Sequence, residues 1–184
     1  MHRGKGAARD RGRDRRRSIE EILSVEEGGR GLILVSTRPG AEDRVLTDLM
    51  DAVFPHDPSA RAYKTRYRGL LLLTTGKDPI DLVNLLVKMY PIRGIYSYRP
   101  LLVWKLSDKL AETALKLLKK AFEKGAKCEK LRVSVRGARV DKDSLWRAAV
   151  ELLGKRNEKC ILGVEIVENL IGVSLIIKPR MTAG

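Results

Sequence analysis

The chain has 184 residues, enough for one medium domain or two small ones sharing a core. Hydrophobic residues make up 43% and charged residues 33%, so a packed interior under a densely charged surface is expected. The net charge of +14 favours a polyanionic partner, and no apolar run approaches the roughly 18 residues of a membrane helix.

Residues 1–17 carry eight Lys/Arg against Asp10 and Asp14, a net of +6, without periodicity. They predict a disordered arm, either laid over phosphates or merely solubilising. The arm lacks the apolar core of a signal peptide, so a cytoplasmic protein is expected. Residues 18–27 predict a short helix capped by Ser18 and broken by Gly28-Gly29-Arg30-Gly31. Residues 32–36 read as a buried strand. Thr37 is placed to cap the next helix, whose face is Val45, Leu46, Leu49, Met50 and Val53. Residues 61–67 and 70–74 predict two strands joined at Arg68-Gly69. Asp78-Pro79 opens a helix with Ile80, Val83, Leu86, Val87 and Tyr90 inward. A strand over 95–98 follows, which Pro100 interrupts before 101–104. The order β-α-β-β-α-β is ferredoxin-like, and residues 18–104 net to zero charge.

The second module, with the tail to 184, carries +8. Ser107 is expected to cap a helix with Leu110, Ala114, Leu117, Leu118 and Ala121 inward and Gly125 at its end. Lys109, Lys116, Lys120 and Lys124 lie off that face and read as solvated. Residues 131–136 alternate: Leu131, Val133 and Val135 face one way, Arg132, Ser134 and Arg136 the other. Asp143 or Ser144 is expected to cap the following helix, which Gly154 closes. Strands over 161–167 and 171–177 then form a hairpin through Glu168-Asn169-Leu170.

Motifs for catalysis are missing from this pattern. The glycines offer no strand–loop–helix phosphate cradle, and there is no Walker A sequence. His2 and His56 are not placed for a triad, and Asp141 and Asp143 read as helix caps. Glu165, on an otherwise apolar strand, is expected either to pair with a basic residue or to face water. Cys128 and Cys160, 32 residues apart without a CxxC, are expected as two buried free thiols.

The stretch Leu131-Arg-Val-Ser-Val-Arg136, then Asp143-Ser144-Leu145 opening a helix, then Gly163-Val164-Glu165-Ile166-Val167, resembles the THUMP domain of tRNA-modifying enzymes. The preceding half is similar to the ferredoxin-like domain that usually sits before THUMP, and together the two span residues 31–178. Val164-Glu165 with Ile171-Gly172-Val173-Ser174-Leu175 is most similar to the small stand-alone THUMP proteins that assist tRNA cytidine acetylation. Where many THUMP domains carry Asp-Leu-x-x-Pro-Asp, this chain has Arg156-Asn-Glu-Lys-Cys-Ile-Leu162.

The resemblance implies binding to the acceptor stem and 3′ end of tRNA. The expected fold is α/β: a basic arm and linker over 1–30, a ferredoxin-like domain over 31–104 and a THUMP domain over 105–180. The expected contacts are Arg132, Arg136, Arg139, Lys142, Arg147, Lys155 and Arg156, with Trp146 nearby and half-buried. The function expected is that of a non-catalytic adaptor. It would present tRNA to a separate modifying enzyme of the cytidine N4-acetyltransferase kind, with no cofactor, metal or small-molecule substrate. The alternatives are a ribosome-associated RNA-binding protein and a subunit that completes a modification enzyme in trans. Heavy use of Lys, Arg and Glu suits an archaeal-like thermophile.

Overall fold

The computed structural model describes residues 15–26, 30–154 and 158–179. Its strands are β1 (Gly31–Thr37), β2 (Arg61–Lys64), β3 (Leu70–Thr75), β4 (Ile95–Leu106), β5 (Cys128–Arg136), β6 (Glu158–Val167) and β7 (Leu170–Leu175). Its helices are α1 (Ile19–Ser24), α2 (Glu42–Val53), α3 (Pro79–Met89), α4 (Leu110–Glu123) and α5 (Lys142–Leu153). The fold is mixed α/β on one seven-stranded sheet in the order β2-β3-β1-β4-β7-β6-β5. β5 and β6 run parallel, and the other pairs are antiparallel.

β4 unites the sheet. Its first part pairs with β1 as far as Pro100 opposite Ile33, and from Leu101 it pairs with β7. The interruption expected at Pro100 is not seen. The proline falls where one partner gives way to the next, a place where a missing N–H disturbs no continuous ladder.

Cross-strand neighbours share a face, and this sorts the core. Ile33, Val35, Leu71, Leu73 and Tyr98 pack with Val45, Leu49, Leu82 and Leu86 of α2 and α3. Val103, Val133, Val164 and Val173 pack with Leu118 and Leu145 of α4 and α5. An irregularity between Leu101 and Val103 keeps these two clusters on one side of the sheet. Leu32, Leu34, Leu70 and Leu72 point the other way, beneath Ile19 and Ile22 of α1.

Two caps fall where the sequence puts them. Ser18 accepts from the Glu21 N–H at 3.2 Å, and Asp78 accepts from Ile80 and Asp81 at 3.0 Å each. Three move. α2 starts after Ala41, not Thr37, because the turn at Pro39-Gly40 intervenes and the Glu42 carboxylate takes the Gly40 and Gly69 N–H groups at 2.8 Å each. The N-cap of α4 is Lys109, whose N–H is held by the Ser107 hydroxyl at 3.1 Å. α5 is capped by Asp141, which accepts from Asp143 and Ser144. The strand expected over 61–67 ends at Lys64, ahead of a turn closed by Gly69. Gly69 has φ +78°, and a Cβ there would sit 2.9 Å from the Thr37 carbonyl oxygen.

The two cysteines are not free thiols. Cys128 and Cys160 form a disulfide with Cα atoms 4.8 Å apart. They lie at the beginnings of the adjacent parallel strands β5 and β6, an adjacency that a spacing of 32 residues does not reveal. Among the described residues no helix is long and apolar enough to cross a membrane.

Candidate nucleic-acid interface

β5 carries the alternation read from the sequence. Leu131 and Val133 are buried against α4 and α5, which sends Arg132, Ser134 and Arg136 to the opposite face. Arg132 is exposed, and Ser134 and Arg136 are half-buried. In the parallel register Arg132 lies opposite Gly163 and Ser134 opposite Glu165.

Arg99 of β4 reaches this row from across β7. Its Nη1 donates to both Glu165 carboxylate oxygens at 3.0 Å and to the Ser134 hydroxyl at 2.8 Å, while Nε donates to the Ser97 hydroxyl at 3.2 Å. The Ser174 hydroxyl donates to Glu165 at 3.0 Å. Glu165, only 3% exposed, thus pairs with a basic residue, one of the two outcomes its sequence context allows. Gly163 leaves room for this cluster, since a Cβ there would stand 2.5 Å from both the Glu165 Oε1 and the Ser174 Oγ.

Arg136 belongs to the same cluster electrostatically. Burial, and then the Arg99 guanidinium, lower its pKa from the ordinary arginine value, while Glu165 acts in the opposite direction. Its backbone carbonyl accepts from the Glu168 N–H at 2.8 Å, fixing the end of β5 against the β6–β7 turn. Its guanidinium makes no hydrogen bond or ion pair with any described residue. Two guanidiniums therefore share one buried carboxylate.

The other predicted contacts are placed differently. Lys142 and Arg147 are exposed on α5, in the layer on the opposite side of the sheet. Arg139 is exposed in the loop between β5 and α5, beside a cleft it lines with Asp108, Leu110, Asp141 and Ser144. Lys155 and Arg156 lie outside the described residues. The structure groups Arg132 and Arg136, and separates them from Lys142 and Arg147. Trp146 is 44% exposed and donates from Nε1 to the Leu131 carbonyl at 3.2 Å, on the outer edge strand of the sheet. The Asp141 carboxyl is lowered chiefly by its hydrogen bonds with Ser144, which is capping chemistry.

Several residues on the Arg132 side escaped the sequence reading. Arg17 bridges Thr65 beside β2, donates its N–H to the Lys64 carbonyl at 3.0 Å, and holds its guanidinium 5.6 Å from the Tyr63 ring centre. Its neighbour Arg16 turns instead to Glu42 at the start of α2, at 3.1 Å. Tyr67 packs so tightly on Gly137 that any Cβ there would overlap the phenol oxygen. Burial, then the Glu168 carboxylate, raise the pKa of that phenol. Glu168 has φ +55° and accepts from the Ile19 N–H at 3.4 Å. The segments just beyond β2 and β5, far apart in the strand order, therefore meet at Tyr67 and Gly137. Arg99 had a sequence signal in Ser97, Arg99 and Leu101, which fall at alternate positions of one strand. No group of three or more metal-binding side chains occurs among the described residues.

No protein-family model matches the chain, and no curated protein matches it in sequence. Solved structures do match in fold. PH1313 from Pyrococcus horikoshii Ot3 aligns with a TM-score of 0.56 at 20% identity, over 80% of this chain and 55% of its own. TrmN from Thermus thermophilus aligns at 0.54 and 16%, over 82% and 46%. A possible methylase from Clostridium difficile 630 aligns at 0.53 and 12%, over 80% and 41%. The chain spans about half the length of these structures. The likeness is one of fold, and it supports the THUMP-like fold that the sequence resemblance implies.

One expectation is corrected by these neighbours. The chain was expected to be non-catalytic, yet neighbours include the possible methylase, a putative methyltransferase complexed with SAH and a predicted N6-adenine-specific DNA methylase. A fold that recurs as about half of larger proteins described as methylases removes the basis for that expectation.

Proposed function

We propose that the chain is the RNA-binding unit of a tRNA-modifying enzyme, holding the acceptor end while chemistry proceeds at an adjoining catalytic part. In this reading residues 31–104 form a ferredoxin-like module and residues 105–180 a THUMP module, joined through β4. The strand order β2-β3-β1-β4 around two helices favours the first, and the THUMP-like motifs on β5, α5 and β6 favour the second.

The observation that carries the proposal is the row Arg132, Ser134 and Arg136 on the side of the sheet away from α4 and α5, beside the Arg99–Glu165 pair. Arginines on one strand face match phosphates along a backbone, and such contacts supply affinity and register without reading sequence. Six phosphate contacts would lose about three orders of magnitude in affinity between 50 and 200 mM salt.

The test is binding to tRNA with an intact 3′ end and to tRNA trimmed of its terminal CCA, for the wild type and for Arg132→Ala/Arg136→Ala. Loss of affinity on trimming and on substitution supports an acceptor-end site. Equal, weak binding to every RNA contradicts it. On the chemistry, the likeness of Val164-Glu165 and residues 171–175 to acetylation-linked THUMP proteins favours cytidine N4-acetylation. The neighbours described as methylases favour methyl transfer instead. Whether a reconstituted reaction leaves an acetyl or a methyl group on the tRNA separates the two.

A further inference from the structure

We infer that Arg136 and Arg99 together form a seat for a single phosphate group, with Glu165 as the positioning residue that fixes Arg99. This deepens the RNA-binding reading and rests on it for the identity of the ligand.

Among the described residues the cluster holds more positive charge than negative. Glu165 is buried and satisfied: it receives the Arg99 Nη1 at both oxygens and the Ser174 hydroxyl at one. Arg99 is held on three sides, by Ser97, Ser134 and Glu165, and its Nη2 donates to no described residue. Arg136 stands two residues from Ser134 on the same strand face, half-buried, with no acceptor for its guanidinium among the described residues. One carboxylate thus faces two arginines, leaving a partly desolvated excess of one positive charge. A buried charge without a partner is costly, and an anion with several acceptor oxygens relieves that cost.

A phosphate suits the position better than a carboxylate. Guanidinium forks pair with phosphate oxygens in bidentate fashion, and two forks offer more donors than one carboxylate accepts. Ser134, between Arg132 and Arg136 on the strand, accepts from Arg99 and so helps to hold that guanidinium beside the row. Arg132, exposed one step along the same row, marks the continuation of a backbone track and not a second seat.

Affinity for tRNA would be measured across a salt series for wild type, Arg136→Ala, Arg136→Lys, Arg132→Ala and Glu165→Gln, with thermal unfolding of each as a folding check. Inorganic phosphate titrated into the wild type and Arg136→Ala forms a parallel arm. Arg136→Ala is expected to weaken tRNA binding about tenfold to a hundredfold and to lower the salt slope by about one. Arg136→Lys is expected to restore the slope but only part of the affinity, since the fork is gone. Arg132→Ala is expected to cost less, and Glu165→Gln to weaken binding without changing the slope. If the wild type binds tRNA and Arg136→Ala leaves affinity and slope unchanged, the seat is overturned while the RNA-binding reading stands. If the wild type binds no RNA, that reading fails. In that case phosphate binding that depends on Arg136 still supports the seat, and its absence overturns it.

Discussion

One face of the sheet is finished in two ways. Over β3, β1 and the start of the β7 end, Leu32, Leu34, Leu70, Leu72 and Leu170 are closed off by Ile19 and Ile22 of the six-residue α1. Farther along the same face, over β6 and β5, the corresponding positions are Gly163, Glu165, Arg132, Ser134 and Arg136, and among the described residues no helix packs on them. The first region buries apolar area, at roughly 25 cal/mol per Å² removed from water. The second holds polar groups that satisfy one another, with Arg136 making no hydrogen bond or ion pair to any described residue. The difference separates an apolar part of the face closed by α1 from a polar part that no described helix covers.

Removing one member of the buried pair should have the largest effect. Glu165→Ala strands Arg99 and should lower stability by roughly 3–5 kcal/mol, whereas the double change Arg99→Met/Glu165→Leu should be close to neutral. Urea unfolding of the three proteins checks this, and equal losses in both variants would show that packing, not charge, dominates there. On the covered side, Ile22→Ala empties a fully buried position and should lower stability by about 2–5 kcal/mol while leaving tRNA affinity unchanged. Reducing the Cys128–Cys160 disulfide should remove about 3–4 kcal/mol by the chain-entropy estimate for its loop, read as a drop in melting temperature. A chain with two titratable thiols under non-reducing conditions would contradict the bond.

The smallest effect concerns acid. Burial would raise the Glu42 carboxyl, but the Gly69 and Gly40 N–H groups and Arg16 outweigh it and hold the pKa at about 2, below the usual 4.5. Asp57 is likewise held at about 2 against burial, by Ser59, Thr75 and Gly76. Depressed carboxylates add stability that is complete above the unfolded-state value and disappears as pH falls through the folded value. Each should therefore contribute on the order of 2–3 kcal/mol at neutral pH, lost between about pH 5 and 2. Glu42→Gln and Asp57→Asn should flatten the stability profile in that window. Both groups belong to the β1–β4 half, so acid should loosen that half first.

Much of the fold was legible in the sequence because its signals are local. Alternation over 131–136, the Asp78-Pro79 start and the apolar face from Val45 to Val53 each report a period or a cap within a few residues. What failed to show was set by partners distant in sequence. Pro100 looked like a break because β1 and β7, which flank it in turn, are not adjacent in the chain. Cys128 and Cys160 became neighbours only through the parallel pairing of β5 and β6. The seven expected contacts were read as one surface because order along the chain does not reveal which side of the sheet a residue occupies. Arg132 and Arg136 lie on one side, Lys142 and Arg147 on the other. Arg99, 33 residues before Arg132 in the chain, arrived through the sheet.

That division suggests the most direct measurement: tRNA affinity across a salt series for two double variants, Arg132→Ala/Arg136→Ala on the face away from α5 and Lys142→Ala/Arg147→Ala on α5 itself. The first should lose at least tenfold in affinity and about two units of salt slope, while the second should stay within about threefold. The reverse order, or equal losses in both, would contradict the claim that the face left without a helix is the one that holds RNA.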